Sequence, residues 1–194
     1  MTGKVIISNI DAHSTFLDLI GQDSLPSGFR SKLKGMKPSL SYFILYLGIE
    51  GGLDELSVSN NEVFFEDHLQ REYQFLNQNQ ISEKAPFYLL APSKINASHA
   101  PKGKNTLCLS CKTTYHFSPD WDQKVKDELS EDLIYKASSF IPQLKNRIVV
   151  KVETTPKTIE QWTCNRWGAA YGWAQIPRQS GIYRLSRNTP IPNL

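Results

Sequence analysis

The chain has 194 residues, 40% hydrophobic and 21% charged, which is enough to bury a sizeable core and too well mixed for a disordered or fibrous protein. A net charge of +3, with basic residues scattered instead of gathered in a stripe, gives no electrostatic footprint for nucleic acid. No apolar run reaches the length of a membrane span or a signal-peptide core, and three cysteines, an odd count, argue against a secreted disulfide scaffold and for a reducing cytoplasm.

In chain order, Lys4–Asn9 reads as an apolar, β-branched strand, and a short helix follows over Asp11–Ile20, capped by Asn9 or Asp11 and stopped by Gly21. Pro26–Met36 reads as a second short helix. Ser41–Glu50 (SYFILYLGIE) is apolar on both faces, the mark of an interior strand, and Gly51-Gly52 ends it. Glu62–Phe65 is a further strand and His68–Asn77 a helix. Phe87–Ala91 and Thr106–Cys111 are two more strands, joined by a Pro- and Lys-rich loop over Pro92–Lys104. The clearest helix starts at Ser118-Pro119, with Val125, Leu129, Leu133, Ala137 and Phe140 along one face and Pro142 ending it. Arg147–Glu153 is a strand and Pro156–Trp162 a helix. Strands and helices without regular βαβ alternation give an α+β domain on a mixed, largely antiparallel sheet.

Motifs with chemistry are few. Cys108 and Cys111 have metal-knuckle spacing, but three apart on a strand they face opposite ways, so they read as small strand residues. Cys164 stands alone. His13, His68, His99 and His116 never pair at helical spacing, so no metal site is expected. No P-loop, GxGxxG or nucleophile elbow occurs, and no catalytic residue can be assigned. Asn96-Ala97-Ser98 matches a glycosylation acceptor that a cytoplasmic protein would not use. Trp167, Tyr171 and Trp173 around Gly168 and Gly172 read two ways: as walls of a slot for an apolar or flat ligand, or as an aromatic turn packed onto the core. The ends, Val5-Ile6-Ile7 and Pro190-Ile191-Pro192-Asn193-Leu194, look like open edges of one domain of a larger protein.

The order of six segments is similar to that of the phytoene desaturase, carotenoid isomerase and retinol saturase family. Val5–Gly21 resembles its "VVSNADPH…TFLxLxG" segment and Pro38–Gly48 its "PSxSxFxLYLGL" strand. Ala100–Leu107 resembles "APxGxHTL", Glu153–Thr158 "xxTPxT", Gly168–Trp173 the "GxAYG" loop, and Thr189–Leu194 the "TPIPNL" that leads into the last strand of the FAD domain. The match is collinear over nearly the whole chain. It implies the substrate-binding domain of an FAD-dependent oxidoreductase acting on a polyene or isoprenoid, over residues 1–194. The sheet would have about five to six strands with helices on one face. Ser8, Asn9, Gly168, Tyr171 and Gly172 would border the flavin, and Trp167, Tyr171 and Trp173 the substrate. The dinucleotide fingerprint and the segment after Leu194 are not in the sequence. FAD therefore belongs to the parent protein, whose FAD domain would meet residues 1–10 and 186–194. Partners implied are that domain, a hydrophobic small molecule and, through the open edges, a second copy or a membrane surface. A stand-alone hydrophobic-ligand module without flavin and an inactive remnant are the alternatives.

Overall fold

The computed structural model describes residues 4–53, 62–65 and 86–194. They divide into two compact units, one built from both ends of the chain, up to Ser41 and from Lys157, and one from Tyr42–Pro156.

The Tyr42–Pro156 unit holds the sheet. Its strands are β1 (Ser41–Glu50), β2 (Glu62–Phe65), β3 (Phe87–Leu90), β4 (Lys104–Thr113) and β5 (Ile148–Thr154), in the order β2-β3-β4-β1-β5. Pairings β1–β5, β2–β3 and β3–β4 are antiparallel. The α+β class stands, and five strands pair in one sheet among the described residues, with β2 a four-residue edge strand. The apolar run of β1 occupies an interior position, between β4 and β5.

Burial alternates along β1 and β4, and Phe43, Leu45, Leu47, Ile49, Leu107, Leu109 and Cys111 all point to one side. The long helix (Gln123–Ser138) covers that side through Leu129, Leu133, Ile134 and Ala137, forming one apolar cluster with the strands. The helix starts later than Ser118-Pro119. The Ser118 hydroxyl instead accepts from Trp121 N–H at 3.3 Å, and Trp121 turns the chain at φ 50° before Asp122 caps Val125 N–H at 2.9 Å. Trp121 itself is buried and stacks on Phe43.

Other boundaries shift in instructive ways. Pro92–Lys104 is not plain loop: Pro92–Ile95 forms a helical turn, and Ala97–His99 a 3₁₀ turn capped by the Asn96 side chain. Arg147 closes a helical turn over Leu144–Arg147, so β5 begins at Ile148. The predicted helix His68–Asn77 lies outside the described residues.

In the unit of the two ends, Lys4–Asn9 is not a strand. Its one backbone contact of ladder type among the described residues is Ile6 N–H to the Asn193 carbonyl at 2.9 Å, and a β-branched run without a neighbouring strand has no ladder to join. Asp11 is the cap, its carboxylate accepting from His13 and Ser14 N–H, and the helix that follows is a π-helix over Ser14–Leu19. Gly21, at φ 91°, ends it in the left-handed region that favours glycine. A second apolar cluster forms around Phe16, Leu25, Leu33, Met36 and Trp173, with Leu33 from the helix Ser27–Gly35 at its centre.

Candidate functional site

Among the described residues two places stand out as candidate sites, one in each unit. In the unit of the two ends, the segment from Cys164 to Trp173 makes a tight turn. Cys164 (φ 57°), Trp167 (φ 58°), Gly168 (φ 60°) and Gly172 (φ 69°) all sit at positive φ, a conformation that costs non-glycine residues energy and gathers at functional turns. Glu160 holds the turn by accepting from Trp167 N–H at 2.7 Å. Ser39 holds it twice, donating its N–H to the Gly172 carbonyl and accepting from Tyr171 N–H on its hydroxyl.

This geometry separates the three aromatic residues singled out in the sequence. Trp173 is only 8% exposed and lies in the core, bridged to Pro38 and tilted against the His13 ring, so it packs the unit and does not line open space. Tyr171 is 63% exposed. Trp167 is half-buried, with the Arg166 guanidinium 4.9 Å over its ring. Arg166 also lies against the ring nitrogens of His13, donating to the one that carries no proton. Burial, and then the adjacent Arg166 charge, hold the His13 pKa below its ordinary 6.5, so it stays the neutral acceptor that this guanidinium needs. The His13–Arg166 pair has no signature in the sequence, because the partners are 153 positions apart.

The proposed flavin-side residues were compared with what a dinucleotide needs, which is a row of unspent backbone N–H donors for its phosphates. Ser8 shares its hydroxyl with Thr15 at 2.6 Å, and Asn9 is exposed. The N–H groups of Gly168, Ala169, Ala170 and Tyr171 are all spent on contacts within the unit. Gly172 faces open space, since an added Cβ would meet no atom within 4 Å. These residues do not fit a dinucleotide cradle. They offer a surface edge, and no chemical step is assigned to them.

The second place lies on the sheet face away from the long helix. Register puts Ile44, Tyr46 and Gly48 of β1 beside Thr154, Val152 and Val150 of β5 on that face, and Cys108 of β4 opposite Leu90 of β3. Tyr46, Val150, Val152 and Leu90 remain 38–53% exposed, an unusual amount of apolar surface for one face. The charges of β5 point the other way. Lys151 pairs with Asp127 of the long helix at 3.1 Å and with Glu153 at 2.9 Å, and Ser130 donates to Glu153 at 3.3 Å. A cavity of about 400 Å³ opens on the uncovered face, lined by Tyr46, Gly48, Thr106, Cys108, Val150 and Val152, with Pro92, Pro101 and Lys104 among its other walls. Burial pushes the Cys108 thiol up to about 11 and raises the Tyr46 phenol, so both are neutral walls at physiological pH. The signal was present in the sequence: Val150-Lys151-Val152-Glu153 alternates, but with its apolar set on the side the helix leaves bare.

No family model matches the chain. It is similar to the lycopene-forming phytoene desaturase of Pantoea ananas, 24% identical over 194 residues that make up 98% of this chain and 39% of that protein. It is also similar to the zeta-carotene-forming phytoene desaturase of Myxococcus xanthus, 30% identical over 160 residues, 79% of this chain and 30% of that protein. A third relative is the 4,4'-diapolycopene oxygenase of a Methylomonas species, 24% identical over the full chain and 39% of that protein. This chain is a relative of the phytoene desaturases and other carotenoid oxidoreductases. It spans 30–39% of the length of these three relatives. No helix among the described residues is long and apolar enough to cross a membrane.

Proposed function

We propose that this chain supplies the substrate-binding domain of an FAD-dependent oxidoreductase that desaturates, saturates or isomerises a polyene or isoprenoid, and is inactive by itself. The observation that carries the reading is the bare, apolar sheet face with its cavity, because a long hydrocarbon offers nothing but apolar surface to recognise. The collinear likeness to carotenoid oxidoreductases supports it. In such an enzyme the bound flavin supplies the redox chemistry. This chain's share is to bind the substrate on β1, β4 and β5, to orient it and to keep water from it.

A second reading, a stand-alone module that binds a hydrophobic ligand without flavin, is favoured by one observation: the backbone donors of Gly168, Ala169, Ala170 and Tyr171 are already spent. Absorbance spectra separate the two. The protein read through its full gene is expected to purify with the visible bands of bound flavin, whereas the 194-residue chain mixed with FAD should retain none through gel filtration. A colourless full-length protein would sink the oxidoreductase reading and leave the binding module.

A further inference from the structure

The cavity on the bare sheet face has one feature that an all-hydrocarbon ligand does not use. Thr106 sits on β4 between Lys104 and Cys108, on the side opposite the buried Leu107 and Leu109, so its side chain faces the cavity. Its backbone is served: Thr106 N–H donates to the Ser93 hydroxyl at 3.0 Å, and that hydroxyl sits against Asn105 Oδ1 at 2.9 Å. Its own Oγ1, however, is buried without a hydrogen-bond partner among the described residues. A buried hydroxyl left unpaired is unfavourable, and rotation of the Thr106 side chain about χ1 would turn it toward a ligand acceptor at this wall. Lys104, two residues back on the same face, adds a cation to the lining. The floor is set by Gly48, where an added Cβ would stand 3.1 Å from the Val150 Cβ, so a side chain here would press on Val150.

We infer that this cavity seats the oxygen-bearing end of an apolar chain, with the Thr106 hydroxyl donating to that oxygen and Gly48 and Val150 setting how deep the chain enters. The inference rests on the hydrophobic-ligand reading above and narrows it to an end group that carries a hydroxyl or carbonyl oxygen.

Amide shifts of the ¹⁵N-labelled chain, titrated with farnesol and separately with the hydrocarbon farnesene, test it. Farnesol is expected to move Gly48, Thr106, Cys108 and Val150, and to bind more tightly than farnesene by on the order of tenfold, the weight of one hydrogen bond that completes a buried donor. Thr106→Val should remove that preference while leaving farnesene binding unchanged. Val152→Trp, at an exposed rim position that folding tolerates, should block both ligands. Equal affinity for the two ligands, a preference that survives Thr106→Val, or shifts confined to other residues would overturn the inference while the hydrophobic-ligand reading stands. Failure of both ligands to bind anywhere would overturn both.

Discussion

His13 is buried, neutral and bonded to Arg166, which ties its protonation to the fold. Asp11 and Asp18 lie near enough to favour the charged ring, but burial and Arg166 outweigh them. The sign follows. A histidine whose folded pKa is depressed contributes stability that is complete above its unfolded value of 6.5 and is lost as pH falls through the folded pKa. The thermal midpoint of the chain should therefore drop as pH is lowered below 6.5, and His13→Gln, which keeps an acceptor for Arg166, should flatten that slope. An unchanged slope in the variant would remove His13 from the account. The cysteines give a second residue-level expectation. Cys111 is buried in the core with its thiol pushed up to about 12, Cys108 reaches about 11, and Cys164 is exposed. A disulfide reagent at pH 8 should modify one thiol quickly, and Cys164→Ser should abolish the fast phase.

At the scale of elements, the contact between the long helix and the sheet is where a single truncation should cost most. Leu133 is 1% exposed and Leu129 7%, both inside the cluster with Leu45, Leu107 and Leu109. Leu133→Ala should lower unfolding free energy by about 2–5 kcal/mol in urea titrations, and Leu129→Ala by the lower part of that range. Removing the cap with Asp122→Ala should cost about 1 kcal/mol, whereas Ser118→Ala should leave the helix itself intact. This helix was legible because its apolar residues recur at helical spacing, but its start was not. Ser118-Pro119 looks like a cap and first turn, and only the tertiary position of Trp121 shows that the chain turns there first. Lys4–Asn9 failed for the converse reason: β-branched composition makes a strand only where another strand supplies the ladder. Trp173 and Tyr171 could not be told apart in sequence, because the left-handed turns at Gly168 and Gly172 decide which ring is aimed inward. The segment order of the family was readable throughout, since it needs no knowledge of which face is bare. The cavity was not, because that knowledge is what it requires.

On the scale of the whole molecule, the exposed apolar residues of the unit formed by the two ends include one dense run near its start. Val5 is 69% exposed, Ile6 44%, Ile7 91% and Ile10 43%, four large apolar side chains within six residues. Ile6 is bonded to Asn193, so this stretch runs beside the other end of the chain. The sequence suggested that Ile191 would join the exposed set; it is instead half-buried against the cluster of Phe16 and Leu33. A contiguous apolar surface of this kind in water favours association with another such surface. The 194-residue chain should accordingly sediment with a mass that rises with concentration. Val5→Ser combined with Ile7→Ser should return it toward the monomer, while thermal stability changes little, since exposed positions seldom move folding free energy by more than about 0.5 kcal/mol. Association undiminished in that double variant would move the sticky surface elsewhere, and the bare face of the sheet, with Val150 and Val152 about half exposed, would be the next place to test. Association lost together with stability would mean instead that Val5 and Ile7 support the fold. Sedimentation and melting must therefore be read on the same samples, because only their divergence assigns the patch to contact between molecules.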